Sequence, residues 1–215
     1  MDWREIYKSK LMSIEDAASL IENGDRIFIG GGGSTPAALL DAVCGREELS
    51  GVKVISSNGG TELRCLSDPE CFPRVETISF FLGSKDRASY GLGNVEAASI
   101  HFHRALSSVR DVYHANVHMV EVSEPDEDGY VYFGVRGVCW SPAAEWCRKR
   151  IYQINSQQQR TAGWSNRIHV SEVTALCRAD HELNHYTYKQ SPEDERIAAH
   201  VAAMVRDGDT LQIGF

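Results

Sequence analysis

The chain has 215 residues, of which 42% are hydrophobic and 24% charged, and a formal net charge of -8. This length allows one large domain with a substantial core, and the composition is that of an ordinary globular protein. The acidic balance and the lack of a basic stripe exclude a nucleic-acid surface or an anionic membrane surface as partner. The charged N-terminus is unlike a signal peptide and no apolar run is long enough to span a bilayer, so the sequence predicts a cytoplasmic protein.

The first predicted helix runs from Ser13 to Glu22. Ser13 stands at its cap, and apolar residues recur behind it at helical spacing on one face. The Asn-Gly-Asp sequence at 23–25 ends this helix and turns the chain. The short apolar segment Arg26 to Ile29 then predicts a strand.

A run of four glycines, Gly30 to Gly33, follows the predicted strand. The next helix is expected to open at Ser34 and to continue to about Val43, with Thr35 as its cap and Pro36 at its first helical position. The order strand, glycine run, helix is typical of a tight turn at the carboxyl end of a parallel strand.

The same alternation recurs along the chain and predicts an α/β fold with an open, mainly parallel sheet and flanking helices. The segment at 130–135 is expected to pair near the strong strand at 115–122. The further predicted strands are Val52–Ser56, Thr77–Leu82, Ala115–Val122, Tyr130–Val135, Arg150–Ile154, Arg167–Val170 and Thr210–Ile213. The further predicted helices are Pro142–Lys149 and, capped by Ser191, Pro192–Arg206.

An internal repeat connects the two ends of the chain. Residues 20–30, LIENGDRIFIG, match residues 204–214, MVRDGDTLQIG, at an offset of 184 residues (208 minus 24). A repeat at this distance indicates two similar α/β units in tandem. The sequence therefore predicts a first domain at 1–190 and, at 191–215, a helix and a strand that begin a second domain; on this view the sequence is incomplete.

Several segments together resemble one known family. They are the opening MDW, SIEDAASLIENGDRIFIGGGGSTPAALLDAV at 13–43, SEPDEDGY at 123–130, Ile154-Asn155, the tetrad His169 to Glu172, and DGDTLQIG at 207–214. In order and spacing they resemble the acetyl-CoA hydrolase/transferase family, with 4-hydroxybutyrate and acetate CoA-transferases most similar. The resemblance implies the N-terminal CoA-transferase fold, which is NagB/RpiA-like, in a whole chain of about twice this length.

The resemblance also implies an activity. Enzymes of this family move CoA from an acyl-CoA, such as acetyl-CoA or 4-hydroxybutyryl-CoA, to a free carboxylate. A glutamate attacks the thioester, a mixed anhydride forms, and the released thiolate converts it to a glutamyl-CoA thioester. Coenzyme A is thus a substrate, and no separate cofactor is implied. The implied partners are short-chain carboxylates, the C-terminal half, and further copies of the chain in a homo-oligomer.

The family's glutamate follows a glycine loop that begins at the position of Gly214, so the resemblance implies that this chain holds no catalytic residue and is inactive alone. The residues expected to bind CoA are those of the two glycine segments, namely Gly31, Gly32, Gly33, Ser34, Gln212, Gly214 and Phe215. His169 and Glu172 are expected to line the cleft or to have a structural role.

Other interpretations of these motifs are weaker. No lysine follows the glycine run, as a Walker A loop requires, and Pro36 stands where a dinucleotide fingerprint has its third glycine. The run is therefore either a tight turn or a backbone surface that lines a cleft. His181 to His185 matches His-Glu-x-x-His, but its flanks lack the helical apolar stripe of a zinc peptidase, and we expect no metal site. His114 and His118 are expected to be surface residues.

Two further function classes stay open at this point. One is a non-catalytic module, either a truncated product or a subunit that needs a separate C-terminal partner. The other is a Rossmann-like binder of small molecules. Two segments depart from the family pattern: 156–160 lacks a usual proline, and 180–190 is unusually polar. Both are expected to be surface connections.

Overall fold

The computed structural model describes residues 2–57, 62–134, 141–163, 165–183 and 188–212, apart from the side chain of Lys85. The chain divides into two compact units, 1–183 and 184–215. The boundary predicted from the sequence, between residues 190 and 191, stays a prediction about domains.

The first unit is built on a seven-stranded sheet in the order β4-β3-β2-β1-β5-β7-β9, in which every pair of neighbours is parallel. This confirms the predicted open, parallel α/β fold. The strands of the sheet are β1 (Arg26–Ile29), β2 (Val52–Ser56), β3 (Val75–Ser79), β4 (Val95–Ala97), β5 (Val117–Val122), β7 (Lys149–Ile154) and β9 (Ala175–Arg178).

Helices cover both faces of the sheet. Alternate residues of β1 face opposite sides: Ile27 and Ile29 pack with the helices at 14–19 and 37–44, whereas Phe28 packs with residues of the helices at 105–111 and 143–146. Two buried faces explain why the central strands are almost continuously apolar. The helices of this unit are α1 (Trp3–Lys10), α2 (Ile14–Ser19), α3 (Ala37–Cys44), α4 (Arg64–Ser67), α5 (Ser84–Tyr90), α6 (Ala105–Asp111) and α7 (Ala143–Trp146).

Two short strands form a separate antiparallel ribbon, β6 (Tyr130–Tyr132) with β8 (Arg167–His169). The sequence predicts that the segment at 130–135 pairs near β5; its ladder partner is β8, and next to the end of β5 the Ser123 amide donates to the Tyr132 carbonyl oxygen at 2.9 Å. The turn before β6 sets its direction: Gly129 has a φ of 87°, and a Cβ there would lie 2.8 Å from the Trp3 side chain and 2.9 Å from that of His169. Only glycine fits this turn, because α1 packs directly against it.

Other predicted bounds shift where tertiary contacts override local pattern. The third strand is Val75–Ser79 and not 77–82, because it pairs in register with β2 from Val52 onwards. The helix predicted at 142–149 is a single turn at 143–146. Lys149 instead opens β7 opposite Val117, and its ammonium group lies 2.7 Å from a carboxylate oxygen of Asp25.

The second unit contains α8 (Pro192–Met204), whose Ser191 cap and Asp194 form a reciprocal capping box. The predicted helix and its cap are confirmed, with an end two residues earlier than 206. No residue of α8 is buried. The strand predicted from Thr210 is absent at 210–212, where no described strand pairs with these residues; Ile213 lies outside the described residues.

Five cysteines are described, and all are buried free thiols: Cys44, Cys65, Cys71, Cys147 and Cys177. Burial raises the pKa of Cys147 and of Cys177 to about 12, so these thiols stay protonated and unreactive near neutral pH. Among the described helices, none has both the length and the apolar character needed to cross a membrane.

Candidate active-site cleft at the carboxyl ends of the strands

The glycine run forms a tight turn at the carboxyl end of β1. Gly32 to Ser34 make one turn of 3-10 helix. A Cβ on Gly30 would lie 2.6 Å from the Ser34 carbonyl oxygen, so a side chain there is excluded. Gly33 is exposed and a Cβ on it would meet nothing within 4 Å. The turn thus requires glycine at one end and presents bare backbone to solvent at the other.

Hydrogen bonds from Ser34 and Thr35 fix the far side of the turn. The buried Ser34 hydroxyl donates to the Phe133 carbonyl oxygen at 2.9 Å. The Thr35 hydroxyl donates back to the Gly30 carbonyl oxygen at 3.2 Å and does not cap α3, so the predicted cap is wrong. The helix begins at Ala37, one residue after the predicted first position, Pro36.

The first turn of α3 is capped from a neighbouring strand. The Leu39 amide donates to the side-chain oxygen of Gln153, on β7, at 3.0 Å and in a buried position. Helix termini leave amides that need partners, and here a long-range side chain supplies one. No local sequence pattern contains this contact, because the two residues are 114 positions apart.

Glu121 lies beside Gln153 in the register of β5 and β7, and it is fully buried. Its carboxylate accepts four hydrogen bonds from nitrogen donors of four side chains. The distances are 2.8 Å from Gln153, 3.0 Å from Asn155, 3.1 Å from Gln158 and 2.6 Å from His181. A buried carboxylate is stable only with such partners. We call Glu121 and these four residues the Glu121 cluster.

His181 connects the Glu121 cluster to the surface, since its side chain is 44% exposed. Partial burial lowers the pKa of His181, but the hydrogen bonds to the Glu182 carbonyl and to Glu121, with the negative charges of Glu121 and Asp180, outweigh it and raise the pKa above its usual 6.5. The imidazole is therefore positioned to pair with a buried negative charge.

Gln158 connects the Glu121 cluster to the glycine turn. Its side-chain nitrogen donates both to Glu121 and, at 2.7 Å, to the Gly33 carbonyl oxygen. Gln158 also occupies the space beside Gly134, where a Cβ would lie 2.5 Å from its side-chain oxygen. The expectation that 156–160 is only a surface connection is wrong for Gln158, which is buried.

A second buried histidine, His118, lies within β5 of the sheet, in register with Phe28 of β1. His118 is fully buried, with Nδ1 3.0 Å from the Tyr152 hydroxyl, so the expected surface position is wrong. Burial, helped by the positive charge of Arg150, lowers the pKa of His118 to about 3 and keeps the ring neutral. Among the described residues, no group of three or more His, Cys, Asp or Glu side chains is arranged to hold a metal ion.

The structure does not bring Glu172 and His169 to the glycine turn. Glu172 precedes β9 and its carbonyl accepts from Arg150 near the start of β7, which places it at the amino ends of the strands. There Glu172 lines a cavity of about 410 Å³, together with Arg150 and Arg167. His169 lies against Tyr130, with ring centroids 5.1 Å apart. The predicted cleft-lining role stays a prediction.

The remaining predicted CoA-binding residues belong to the second unit. Gln212 is exposed and outside regular secondary structure. Gly214 and Phe215 lie outside the described residues. The His-Glu-x-x-His match is also only partly described: residues 181–183 are not helical, and His185 lies outside the described residues.

No sequence motif predicted Glu121, Gln153 or Gln158 as site residues. A signal was present, since polar residues interrupt the apolar strand sequences VHMVEV at 117–122 and KRIYQI at 149–154. A charged residue in a strand buried on both faces requires a partner, which makes it a candidate for a site. Its partners follow only from the strand order.

An open parallel α/β sheet with a glycine turn at the carboxyl ends of its strands is typical of domains that bind a substrate at that edge. Residues 1–185 match the family described as the acetyl-CoA hydrolase/transferase N-terminal domain. The chain is 30% identical over 219 residues to the 4-hydroxybutyrate coenzyme A transferase of Clostridium kluyveri; the match takes in 100% of this chain and 50% of that protein.

Solved structures give the same picture. RipA from Yersinia pestis matches 97% of this chain with 50% of its own, at a TM-score of 0.89 and 27% identity. The 4-hydroxybutyrate CoA-transferase of Porphyromonas gingivalis matches 99% with 50% of its own, at a TM-score of 0.74 and 25% identity. The protein belongs to the acetyl-CoA hydrolase/transferase family, and the chain spans about half the length of the relatives it matches.

Proposed function

We propose that this chain is the N-terminal half of a CoA-transferase, which moves CoA from a short-chain acyl-CoA such as acetyl-CoA or 4-hydroxybutyryl-CoA to a free carboxylate. The observation that supports it most is the match of the whole chain to one half of a CoA-transferase. Under this proposal the nucleophilic glutamate belongs to the other half, and the 215 residues alone do not catalyse the transfer.

The proposed reaction proceeds through the glutamate of the other half. Its carboxylate attacks the thioester carbonyl, the carbon–sulfur bond breaks, and CoA leaves as a thiolate. The thiolate then attacks the glutamyl carbonyl of the mixed anhydride, which releases the first carboxylate and leaves a glutamyl-CoA thioester. The acceptor carboxylate reverses these steps, so no oxidant or reductant is needed.

The contribution of this chain under the proposal is the glycine turn. Exposed backbone at Gly33 allows close approach of a ligand, since no side chain projects there. The turn lies at the carboxyl end of β1, the edge at which open parallel sheets bind ligands. Gly31, Gly32, Gly33 and Ser34 are thus proposed to form part of the acyl-CoA pocket, and Gln212, Gly214 and Phe215 the start of the second CoA-binding loop.

A second candidate function is a non-catalytic subunit that acts only with a separate partner chain. The exposed apolar side chains of α8 offer a surface to such a partner: Ile197, Val201 and Met204 are 61%, 56% and 77% exposed. Apolar residues at such spacing on one helix normally pack against another surface. The two candidates differ in whether the C-terminal half is a separate chain.

The test measures CoA exchange between acetyl-CoA and a panel of short carboxylates, first with this chain alone and then with the C-terminal half of the Clostridium kluyveri enzyme added. We expect no exchange from the chain alone and exchange after addition. Exchange by the chain alone would place the nucleophile within these 215 residues and overturn the proposal. No exchange in either case, with binding of a nucleotide to the chain, would favour a Rossmann-like binder instead.

A further inference from the structure

The Glu121 cluster has an unusual pattern of donors. Both carboxylate oxygens accept only from N–H groups, two each: Asn155 and Gln158 on one oxygen, Gln153 and His181 on the other. No acceptor among these partners faces the carboxyl group, so the geometry fits the ionised form, which accepts and never donates. A buried negative charge requires a compensating positive charge nearby.

His181 meets this requirement by geometry alone. Its Nε2 lies 2.6 Å from Glu121 and its Nδ1 lies 2.9 Å from the Glu182 carbonyl oxygen. Both neighbours accept in this arrangement, so the form of the ring that satisfies both contacts is the imidazolium, which carries hydrogen on both nitrogens. The segment around it is held in place, because the Asn155 side chain donates to the His181 carbonyl oxygen and Asp180 accepts from the Ser156 amide.

Two side-chain amides connect Glu121 to the glycine turn and to α3. The Gln158 nitrogen donates hydrogen bonds to Glu121 and to the carbonyl oxygen of Gly33, the exposed residue of the turn. The Gln153 nitrogen donates to Glu121, and the Gln153 oxygen accepts from the Leu39 amide. Glu121 thus fixes which way both side-chain amides point, and through them it fixes the turn and the start of α3.

We propose that Glu121 and His181 form a positioning pair that holds the glycine turn in its ligand-ready conformation, and that deprotonation of His181 loosens it. Neither residue is catalytic in this role. The inference depends on the proposed function only where it says that the ligand of the turn is an acyl-CoA. It also gives a role to the one histidine of the His-Glu-x-x-His match that the structure describes.

The direction of the pH effect follows from the charges around His181. It faces Glu121 from β5 and Asp180 from its own segment, while Arg178 is engaged by Glu124 and lies 3.7 Å from Asp180. These partners raise the pKa of His181, so the stabilisation is complete below the unfolded value of 6.5 and is lost as the pH rises through the folded value.

The experiment measures hydrogen exchange of the full 215-residue chain across this pH range, by mass spectrometry or NMR. Rates at 31–39 are corrected for intrinsic exchange and referred to β2 at 52–56. In the wild type we expect the relative rate at 31–39 to rise as the His181 ring titrates, which the NMR signal of the ring follows directly. A relative rate independent of pH would overturn the proposal.

Three variants distinguish an effect on the position of the glycine turn from an effect on the stability of the whole fold. Glu121→Gln places an NH₂ group against two donors, and we expect about 10- to 100-fold faster exchange at 31–39. His181→Gln keeps an N–H for Glu121 without the charge, so its exchange at 31–39 should equal that of the wild type with neutral His181 and should no longer depend on the charge of residue 181. The matched control is Glu127→Gln, an exposed acid six residues from Glu121, which should change neither quantity.

The outcomes also distinguish this inference from the proposed function. If Glu121→Gln simply unfolds, exchange rises equally at 52–56, and His181→Gln then decides, because its half-exposed site tolerates glutamine. A pH dependence that persists in His181→Gln would exclude His181 as its origin and overturn the proposal. If the reconstituted wild type shows no CoA exchange but the hydrogen-exchange results are as expected, the CoA-transferase function is rejected and the positioning pair is retained.

Discussion

The Gly-Asp turn occurs twice in this chain, and both copies have the same local hydrogen bonds. In the first copy the Glu22 amide donates to an Asp25 carboxylate oxygen at 2.8 Å, and in the second the Arg206 amide donates to Asp209 at 2.7 Å. In each copy the aspartate amide also donates back to the carbonyl of its partner, at 3.1 Å. The same few residues therefore form the same turn in two separate units.

The residues that follow the turn differ between the copies. After Gly24, with a φ of 77°, the chain enters β1, which lies between β2 and β5. After Gly208, with a φ of 88°, residues 210–212 form no strand. A turn needs only its own residues, whereas a strand needs neighbours to accept its backbone hydrogen bonds, so the repeat gives the turn twice and the strand once.

The largest expected effect is in backbone hydrogen exchange of the two copies. Amides at 26–29 are covered on both sides by neighbouring strands, whereas those at 210–212 are in no strand. We expect exchange at 210–212 to be at least about 1000-fold faster, which corresponds to about 4 kcal/mol in opening free energy. Equal protection of the two segments would show that the second copy has a stable partner surface and would break the comparison.

The next effect comes from the aspartates. Asp25 is buried and also accepts from Asn116 and Lys149, both at 2.7 Å. Asp25→Ala removes these bonds and leaves buried donors unpaired, so the free energy of unfolding should fall by about 3 kcal/mol. Urea unfolding followed by circular dichroism measures it. The matched variant Asp209→Ala, at an exposed site, should leave the midpoint of urea unfolding unchanged. An equal loss of unfolding free energy in both variants would show that the second turn is as important to the folded core as the first, and would contradict the comparison.

The glycines should give a smaller effect. An alanine at position 24 or 208 meets no atom within 4 Å, so its cost is backbone strain alone, since both glycines have a positive φ. We expect Gly24→Ala to lower the free energy of unfolding by about 1 kcal/mol. Gly208→Ala carries the same local strain, but should appear only as faster exchange at 206–209. A similar shift of the unfolding midpoint in both variants would contradict this.

The smallest effect concerns the two helix caps. Ser13 and Ser191 each accept the amide of the residue three positions later. Ser13→Ala should lower the free energy of unfolding by about 1 kcal/mol or less. The loss of this cap affects global unfolding because α2 packs on the core of the first unit. Ser191→Ala should reduce helical circular dichroism without moving the unfolding midpoint. A shift of that midpoint would mean that α8 unfolds together with the first unit.

The amino-acid sequence by itself determined the elements whose causes are local. Strand bounds Arg26–Ile29 and Val52–Ser56, the Ser13 and Ser191 caps, the repeated turn and the parallel α/β class all follow from spacing, capping and turn chemistry. The family motifs added the CoA-transferase relationship, which the matches confirm. The glycine turn was also predicted as the candidate site.

Only the tertiary structure decided how distant polar residues combine. Glu121 and His181 are 60 residues apart, and the Leu39 amide meets a side chain 114 residues away. The strand order brings them together, since β5 lies between β1 and β7. The same reason explains the strand that failed to form at 210–212: residue pattern specifies what a segment favours, but backbone pairing and buried charge are satisfied only by neighbours that the fold supplies.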